Sequence, residues 1–264
     1  MLGMIRGICL YRHFIISSIV NELIARFANN KWSGLWMIIN PLSQVLIYAI
    51  ILSNVLAAKL PGIEAKHAYA IYLMAGLLGW NLFSEIVARC LTLFIDQGNL
   101  MKKMSFPRIA LPCIVIGSCL INNFLLFLSM LVVFLALGHS FTIVMLFLIP
   151  LTLLTVVLAL GIGLTLGVLN VFVRDIGQGF SVILQMWFWL TPIVYPIAII
   201  PESYRHLLAL NPMYPIISAY QQILAYGKMP ILDDIAMPFV LALAVLTLSL
   251  TIFRRASAEM VDVL

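Results

Sequence analysis

This sequence has few charged residues and contains none of the common catalytic motifs considered below. Only 9% of its 264 residues are charged, whereas soluble domains carry about 25%. It contains no GxxxxGK[ST] phosphate loop, no HExxH zinc motif and no GxSxG nucleophile motif. Its four histidines are scattered, and no clustered carboxylates stand at metal-ligand spacing. We therefore predict that the chain is not an enzyme, has no catalytic residues and does not hydrolyse ATP itself.

Cysteine is also scarce. The four cysteines stand in apolar surroundings without CxxC pairing, so we interpret them as buried small hydrophobic residues rather than redox or metal sites. The cysteines are Cys9, Cys90, Cys113 and Cys119.

Residues 1–10 are apolar but too short for a signal peptide, and they lack a small-residue cleavage site.

Hydrophobic residues are what the chain has most of, at 64%, and its mean hydropathy is +1.13. Only a membrane can solvate so much apolar surface, so we predict an all-α, polytopic membrane domain over residues 1–264, in contact with membrane lipids. A span needs about 20 apolar residues. Six segments qualify: Trp32–Ala57, Ala68–Ile95, Ile109–Leu137, Phe141–Val173, Ile176–Tyr195 and Ile235–Phe253. The fourth exceeds the bilayer thickness, so we expect a tilt, or a bend near Pro150.

Residues 11–30, before the first span, have the pattern of an amphipathic helix. Apolar residues such as Ile16, Val20 and Ile24 recur at helical spacing, whereas Ser17, Asn21, Glu22 and Arg26 are polar. This length and polarity favour a helix in the membrane interface plane. Packing against protein is the alternative.

The basic residues predict the orientation. With the amino terminus inside, ten lysines and arginines lie on the cytosolic side and four on the other, with Arg89 inside a span. Both termini are therefore expected in the cytosol. The net charge of +5 is explained by these loops, and no nucleic-acid partner is predicted.

Two connections between spans stand out. Residues 96–108 are polar and basic, and they lie on the cytosolic side, where we expect contact with a separate motor protein. Residues 191–234 lie outside and hold six of the twelve prolines. We expect a half-helix there, then short helices near Glu202–Leu210 and Pro215–Tyr226, lining a passage, because irregular backbone at membrane depth needs cover by protein or water.

Several residues inside the spans are candidates for function or packing. Asn81, Glu85 and Arg89 recur every four residues, so they share a helix face, and Glu85 and Arg89 can pair. This face is either a gate contact or a structural lock. The GxxxG-like set Gly161, Gly163 and Gly167 predicts close helix packing.

Aromatic residues concentrate toward the outer end of the chain's membrane region. They form either an interfacial belt or a stacking surface for the apolar faces of sugar rings. Both interpretations stay open for different members of the set. These residues include Trp187, Trp189, Tyr195, Tyr204, Tyr214 and Tyr220.

Five sequence features occur in a fixed order along the chain. The predicted interfacial helix precedes Trp32, and it is followed by LMKKMSFPR at 100–108, VRDI at 173–176, TPIVYP at 191–196 and LNPM at 210–213. This order of motifs resembles that of the permease subunits of type-2 ABC exporters. Over almost the whole chain, the pattern is most similar to the polysaccharide and O-antigen (Wzm-like) branch, next to teichoic-acid exporters.

That resemblance implies a homodimeric permease in the bacterial inner membrane, bound to two copies of a cytosolic ABC ATPase that holds ATP and Mg²⁺. The cargo would be a lipid-linked glycan moved from cytosol to periplasm through a channel between the two permeases. A drug or lipid exporter is the alternative within the class, and an ion-coupled carrier the alternative outside it. The expected ATPase contacts are Glu22, Arg26, Asn99, Leu100, Met101, Lys102, Lys103, Phe106 and Arg108. The expected channel and gate contacts are Asn81, Glu85, Arg89, Trp187, Trp189, Tyr195, Tyr204, Tyr214 and Tyr220.

Overall fold

The structure is a computed structural model that describes residues 10–28, 68–103, 108–139, 142–257 and 259–263, with residues 39, 43 and 47 individually. In these ranges the regular secondary structure is helical and contains no strand, which confirms the all-α class. The predicted first span, Trp32–Ala57, lies outside the described residues except at those three positions. The count of six spans therefore stays a prediction.

Ten α-helices cover most of the described chain. A 3₁₀ turn at Ile143–Phe147 leads into the fifth helix, and another at Ile197–Ile199 precedes the seventh. The helices are α1 (Arg12–Ala28), α2 (Ala68–Asp96), α3 (Gly98–Lys103), α4 (Ala110–Ala136), α5 (Leu148–Phe172), α6 (Asp175–Leu190), α7 (Glu202–Leu208), α8 (Met213–Tyr226), α9 (Leu232–Ala256) and α10 (Glu259–Val263).

Four helical segments are long and apolar enough to cross a membrane. They are Ala68–Asp96, Ala110–Ala136, Ile143–Phe172 and Leu232–Ala256, and they confirm the second, third, fourth and sixth predicted spans as apolar helices. The irregularity expected near Pro150 occurs earlier, in the 3₁₀ turn. Pro150 itself lies in the first turn of α5, where a missing N–H leaves no hydrogen bond unmade.

Helix α6 is shorter than the span predicted at Ile176–Tyr195. Its 16 residues rise about 24 Å, less than the hydrocarbon core of about 30 Å. The helix ends at Leu190 because Thr191 precedes Pro192, and a residue before proline is disfavoured in the helical region. Thr191 accordingly adopts φ −100° and ψ 131°.

Helix α2 is the centre of the bundle. It packs against α4, α5 and α8. Of its most apolar 18-residue stretch, 83% is buried inside the protein, compared with 17% for the corresponding stretch of α9. Cys90 and Cys119 are fully buried, as expected, and Cys113 is half-buried, whereas Cys9 lies outside the described residues. Since α2 is surrounded by protein, its polar residues face other helices or cavities rather than lipid.

The glycines of α5 allow close approach on two sides. A Cβ on Gly163 would lie 2.8 Å from the Cys90 Cβ, and one on Gly167 would press on the Cys90 carbonyl oxygen of α2. A Cβ on Gly161 would lie 2.9 Å from the Leu246 backbone nitrogen of α9. This confirms the predicted close packing, with α2 and α9 of the same chain as the partners.

Helix α1 lies against α4 and α2, and its polar side is not simply turned to water. Ile15 is buried, and the Ile19 side chain fills the space above Gly117 of α4. Glu22 faces the bundle, because Arg89 and Ser118 bind its carboxylate. The exposed ridge consists of apolar residues, Ile16, Val20 and Ile24.

Candidate functional site

A network of charged and amide side chains joins α1, α2 and α4. Arg89 of α2 donates through Nη2 to Glu22 Oε1 of α1 at 2.5 Å, and its Nη1 lies 3.9 Å from Glu85 Oε1. Ser118 of α4 donates to Glu22 at 2.7 Å, and Asn122 donates to Glu85 at 2.7 Å. The predicted Glu85–Arg89 pair is thus present, but the closer partner of Arg89 comes from the amino-terminal helix.

A polar cavity of about 530 Å³ opens beside this network, between α2, α4 and α6. Asn81, near the midpoint of α2, lines it, and its side-chain amide has no hydrogen-bond partner among the described residues. A polar amide at this depth is costly in hydrocarbon, so the Asn81 side chain needs a polar partner or water in this cavity. Its lining is Asn81, Leu82, Ser84, Glu85, Ala88, Asn122, Asn123, Leu126, Ser181 and Leu184.

A second cavity, of about 390 Å³, lies between α1 and helices α2, α3 and α4. Both Arg89 and Glu22 line it, whereas Glu85 lines the first cavity. Gln97, just before α3, and Leu100, within α3, form part of its lining. The remaining lining is Phe14, Ser18, Leu93, Leu111, Ile114 and Val115.

The predicted ATPase contacts fall into three groups. Asn99 and Lys102 are exposed on the short helix α3, whereas Met101 is buried and anchors it. Arg108 is half-buried just before α4. Phe106 and the side chains of Lys103 and Arg26 lie outside what the structure describes. The role of these residues in binding an ATPase stays a prediction.

The aromatic residues divide by exposure. Trp189 is 63% exposed and Tyr204 60% exposed, so both can reach a ligand or lipid. Tyr195 donates its hydroxyl to the Trp189 carbonyl and is half-buried. Tyr220 is fully buried in α8, where its ring covers Gly79 and its hydroxyl bonds Thr152. In this arrangement Tyr220 contacts protein and no accessible surface.

The chain leaving α6 is fixed by side chains whose packing role the sequence did not predict, although Thr191 and Asn211 belong to the TPIVYP and LNPM motifs. Asn211 accepts hydrogen bonds from Trp187 Nε1 at 2.8 Å and from the Met213 backbone at 3.0 Å, and it donates to Thr191 at 2.9 Å. The buried Gln221 donates to the Pro192 carbonyl. The Asn-Pro dipeptide at 211–212 was a usable signal, because Asn before a helix start often caps it.

Helices α7 and α8 confirm the two short helices expected in residues 191–234. They differ in packing, since α8 is buried along most of its length and α7 is mainly exposed. Burial raises the pKa of the Tyr214 phenol; the Asp234 carboxylate adds to the rise and Arg205 opposes it. Helix α8 packs chiefly against α2, with smaller contacts to α5 and α9.

The irregular chain after α6 and the short helix α3, which are the predicted gate and the predicted ATPase contact, lie at opposite ends of α2. Tyr69, at its start, donates its hydroxyl to the Val194 carbonyl, whereas α3 follows its last residue. The 29 residues of α2 rise about 43 Å, enough to cross a bilayer. In the part of the chain that is described, no group of three His, Cys, Asp or Glu residues could hold a metal ion.

These features, an all-helical membrane bundle with a polar cavity and a short basic helix beyond one end, are those of a transporter permease. A sequence model of the ABC-2 type transporter family matches residues 15–225. The chain belongs to this family, whose members are the membrane subunits of transporters.

Comparison with curated proteins shows which members of the ABC-2 family this chain is similar to. The chain is 30% identical over 264 residues to the O-antigen export system permease protein RfbA of Myxococcus xanthus, with 99% of each chain covered. It is 25% identical over 247 residues to a protein of the same name from Klebsiella pneumoniae, with 92% of each covered. The resemblance to type-2 ABC permeases of the O-antigen branch is therefore confirmed.

Proposed function

We propose that this chain is the membrane subunit of an ATP-driven exporter that moves a lipid-linked, O-antigen-like polysaccharide from the cytosol to the periplasm. The observation that carries the proposal is the near full-length match to two permeases named for O-antigen export. A separate ABC ATPase would supply the energy. Two permeases and two ATPase subunits would form the complete exporter in the bacterial inner membrane, with both termini of each permease in the cytosol.

The polar cavity beside α2 supports a hydrophilic cargo. Asn81, Ser84 and Asn122 present amide and hydroxyl groups to it at membrane depth. Such groups exchange hydrogen bonds with water and with sugar hydroxyls at similar energy, so a long polymer can slide past them. A purely lipid-like cargo would gain nothing from these groups and would leave the Asn81 amide unsatisfied, whereas Ser84 and Asn122 already donate hydrogen bonds within the chain.

The exposed faces of α6 and α7 support a site at the periplasmic end. In α6 only Leu184 is buried, and Trp189 is exposed close to the break at Thr191. Tyr204 extends the exposed aromatic surface onto α7. We propose that Trp189 and Tyr204, together with the half-buried Tyr195, contact sugar rings, whereas Trp187 and Tyr220 hold the fold.

Deletion of the chain in its host, with plasmid complementation, tests this function. Loss of surface polysaccharide with accumulation of lipid-linked glycan inside the cell is expected, and restoration by the intact chain. Surface glycan at the parental level in the deletion strain would refute the proposal. Accumulation of another lipid or of a drug in place of glycan would identify the alternative cargo.

A variant pair tests the cavity itself. Asn81→Leu keeps the number of heavy atoms and the branched shape of the side chain but removes the amide from the polar cavity, so export is expected to fall. Thr247→Val is the matched control, because the Thr247 hydroxyl lies on the exposed side of α9 and bonds only to carbonyls of its own helix. Equal export by both variants, at equal protein levels, would exclude this cavity from the passage.

A further inference from the structure

Arg89 has two carboxylate partners and binds them unequally. It contacts Glu22 of α1 at 2.5 Å and Glu85 of its own helix at 3.9 Å. One guanidinium therefore serves two carboxylates, one on its own helix and one on α1. The exposed fractions of the three side chains are 24%, 28% and 31%, so none of them is sealed in the core.

The geometry leaves room for Arg89 to change partner. Glu85 precedes Arg89 by four residues, which is the spacing and order at which helical Glu–Arg pairs form readily. The cavity of about 530 Å³ lies on the Glu85 side and the cavity of about 390 Å³ on the Glu22 side. A rotation about the side-chain bonds of Arg89 thus closes the longer contact and opens the shorter one.

Helix α4 supplies a neutral donor to each carboxylate. Ser118 binds Glu22 Oε2 and Asn122 binds Glu85 Oε1, both at 2.7 Å. A carboxylate that loses the arginine therefore keeps a hydrogen bond. Because removing one partner of a buried pair is costly chiefly when the other is left unsatisfied, these donors lower the free-energy difference between the two arrangements.

The exchange changes what holds α1. In the observed arrangement, the Glu22–Arg89 contact ties α1 to α2, the helix that α3 follows after a single residue, Gln97. The backbone hydrogen bond from Gln97 to Leu93 continues the helical path from α2 toward α3. A displacement of α3 is therefore carried along α2 toward Arg89.

We propose that Arg89 is a positioning residue that exchanges Glu22 for Glu85 during transport. Paired with Glu22, it holds α1 against α2 and α4. Paired with Glu85, it leaves Glu22 with the weaker, neutral Ser118 hydrogen bond to α4, so α1 is held less tightly and the cleft between α1 and the bundle can open. The proposal rests on the proposed function in one respect, that an ATPase moves α3, and it adds the device that passes this motion to α1.

The two carboxylates then have opposite roles. Glu22→Gln weakens the holding contact and favours the released arrangement. Glu85→Gln weakens the alternative partner and keeps Arg89 on Glu22. If the network were only structural, both substitutions would weaken the same cluster, and both would make the hold on α1 looser.

A disulfide between positions 19 and 117 reports on α1. Ile19→Cys and Gly117→Cys replace a direct contact, since a Cβ at 117 would lie 3.1 Å from Ile19 Cγ1. The complete complex with its ATPase is oxidised briefly, either without nucleotide or trapped with ATP by a hydrolysis-defective ATPase. Peptide mapping by mass spectrometry measures the yield of this disulfide and separates it from any formed by the native cysteines.

Without further substitution, the yield is expected to fall about fivefold or more on ATP trapping, as a coupling between two sites of ordinary strength produces. With Glu22→Gln it is expected to be low in both states, and with Glu85→Gln high in both. Glu259→Gln, an exposed carboxylate on α10, is the matched control and should behave like the parent.

Equal yields in the two states of the parent, or shifts of the same sign in both carboxylate variants, would overturn the proposal. If Glu22→Gln does not assemble, the Glu85→Gln variant decides alone. A fall in its disulfide yield on ATP trapping as large as that of the parent would contradict the exchange. This readout is independent of the cargo. An exporter of another substrate would fail the glycan assay above and still show the disulfide pattern, so the two failures are distinguishable.

Discussion

Replacing Gly167 with alanine is expected to destabilise the bundle, although alanine is the better helix former. The glycine faces the backbone of α2, where an added Cβ would collide with the Cys90 carbonyl oxygen. A backbone carbonyl in a helix cannot rotate away as a side chain can, so α2 and α5 must separate. Because α2 is the buried centre of the bundle, that separation also disturbs its contacts with α4 and α8.

The magnitude follows from two opposing effects. Overpacking a well-packed interior costs about 1–3 kcal/mol, and exchanging glycine for alanine inside a helix returns about 0.5–1 kcal/mol. The difference spans about 0–2.5 kcal/mol. Because the collision is with a backbone atom that cannot move away, we expect the upper part of this range, a net loss of about 1–2.5 kcal/mol, or roughly a 5- to 70-fold change in the unfolding equilibrium constant. Gly179→Ala in α6 is the matched control, because no heavy atom lies within 4 Å of its added Cβ. It is expected to stabilise by up to about 1 kcal/mol.

Unfolding of the purified protein by sodium dodecyl sulfate in mixed micelles, followed by circular dichroism, measures both variants. The midpoint should move to lower detergent for Gly167→Ala and stay or rise for Gly179→Ala. If Gly167→Ala resists as well as the parent, the helices do not approach as closely as described. If both variants lose stability equally, the effect belongs to helix flexibility and not to the contact.

Three further outcomes are expected. Lys102→Glu with Lys103→Glu should reduce co-purification with the ATPase at unchanged membrane insertion, because reversed charge repels acidic groups of the partner; unaltered complex yield would exclude the basic α3 from the contact. Asn211→Ala should cost about 1–3 kcal/mol in the same detergent assay, since it removes three hydrogen bonds; parental stability would show that the break after α6 is held elsewhere. Tyr220→Ala should cost about 3–5 kcal/mol, whereas Tyr204→Ala should stay within about 0.5 kcal/mol and reduce export; normal export with Tyr204→Ala would leave that residue a lipid contact.

The long apolar helices were predictable because hydrophobic length is a local property. A run such as Ala68–Ile95 needs no knowledge of its neighbours to be assigned, and the observed helix, Ala68–Asp96, agrees within one residue. The same holds for close packing at Gly161, Gly163 and Gly167, because small residues at helical spacing leave a groove whatever fills it. The identity of the filling helix, α2 on one side and α9 on the other, is a tertiary fact that spacing does not contain.

The charged network shows where local patterns reach their limit. The four-residue spacing predicted the Glu85–Arg89 pair, but not that Glu22, sixty-seven positions from Arg89 in the chain, binds it more closely. Periodicity placed Glu22 on the polar side of an interfacial helix without indicating what that side meets. The aromatic residues divided in the same way, since exposure of Tyr204 and burial of Tyr220 depend on how α7 and α8 pack.

Transport by purified components in sealed vesicles tests the central claim, that this chain forms a passage whose energy comes from a separate ATPase. Vesicles would hold the permease alone, the permease with its ATPase, or the complex with the phosphate-loop lysine of the ATPase replaced, each with lipid-linked glycan on the ATP-exposed side. Transfer of glycan to the lumen is expected only for the intact complex with ATP. Transfer by the permease alone, driven by an ion gradient or by no energy source, would contradict the account.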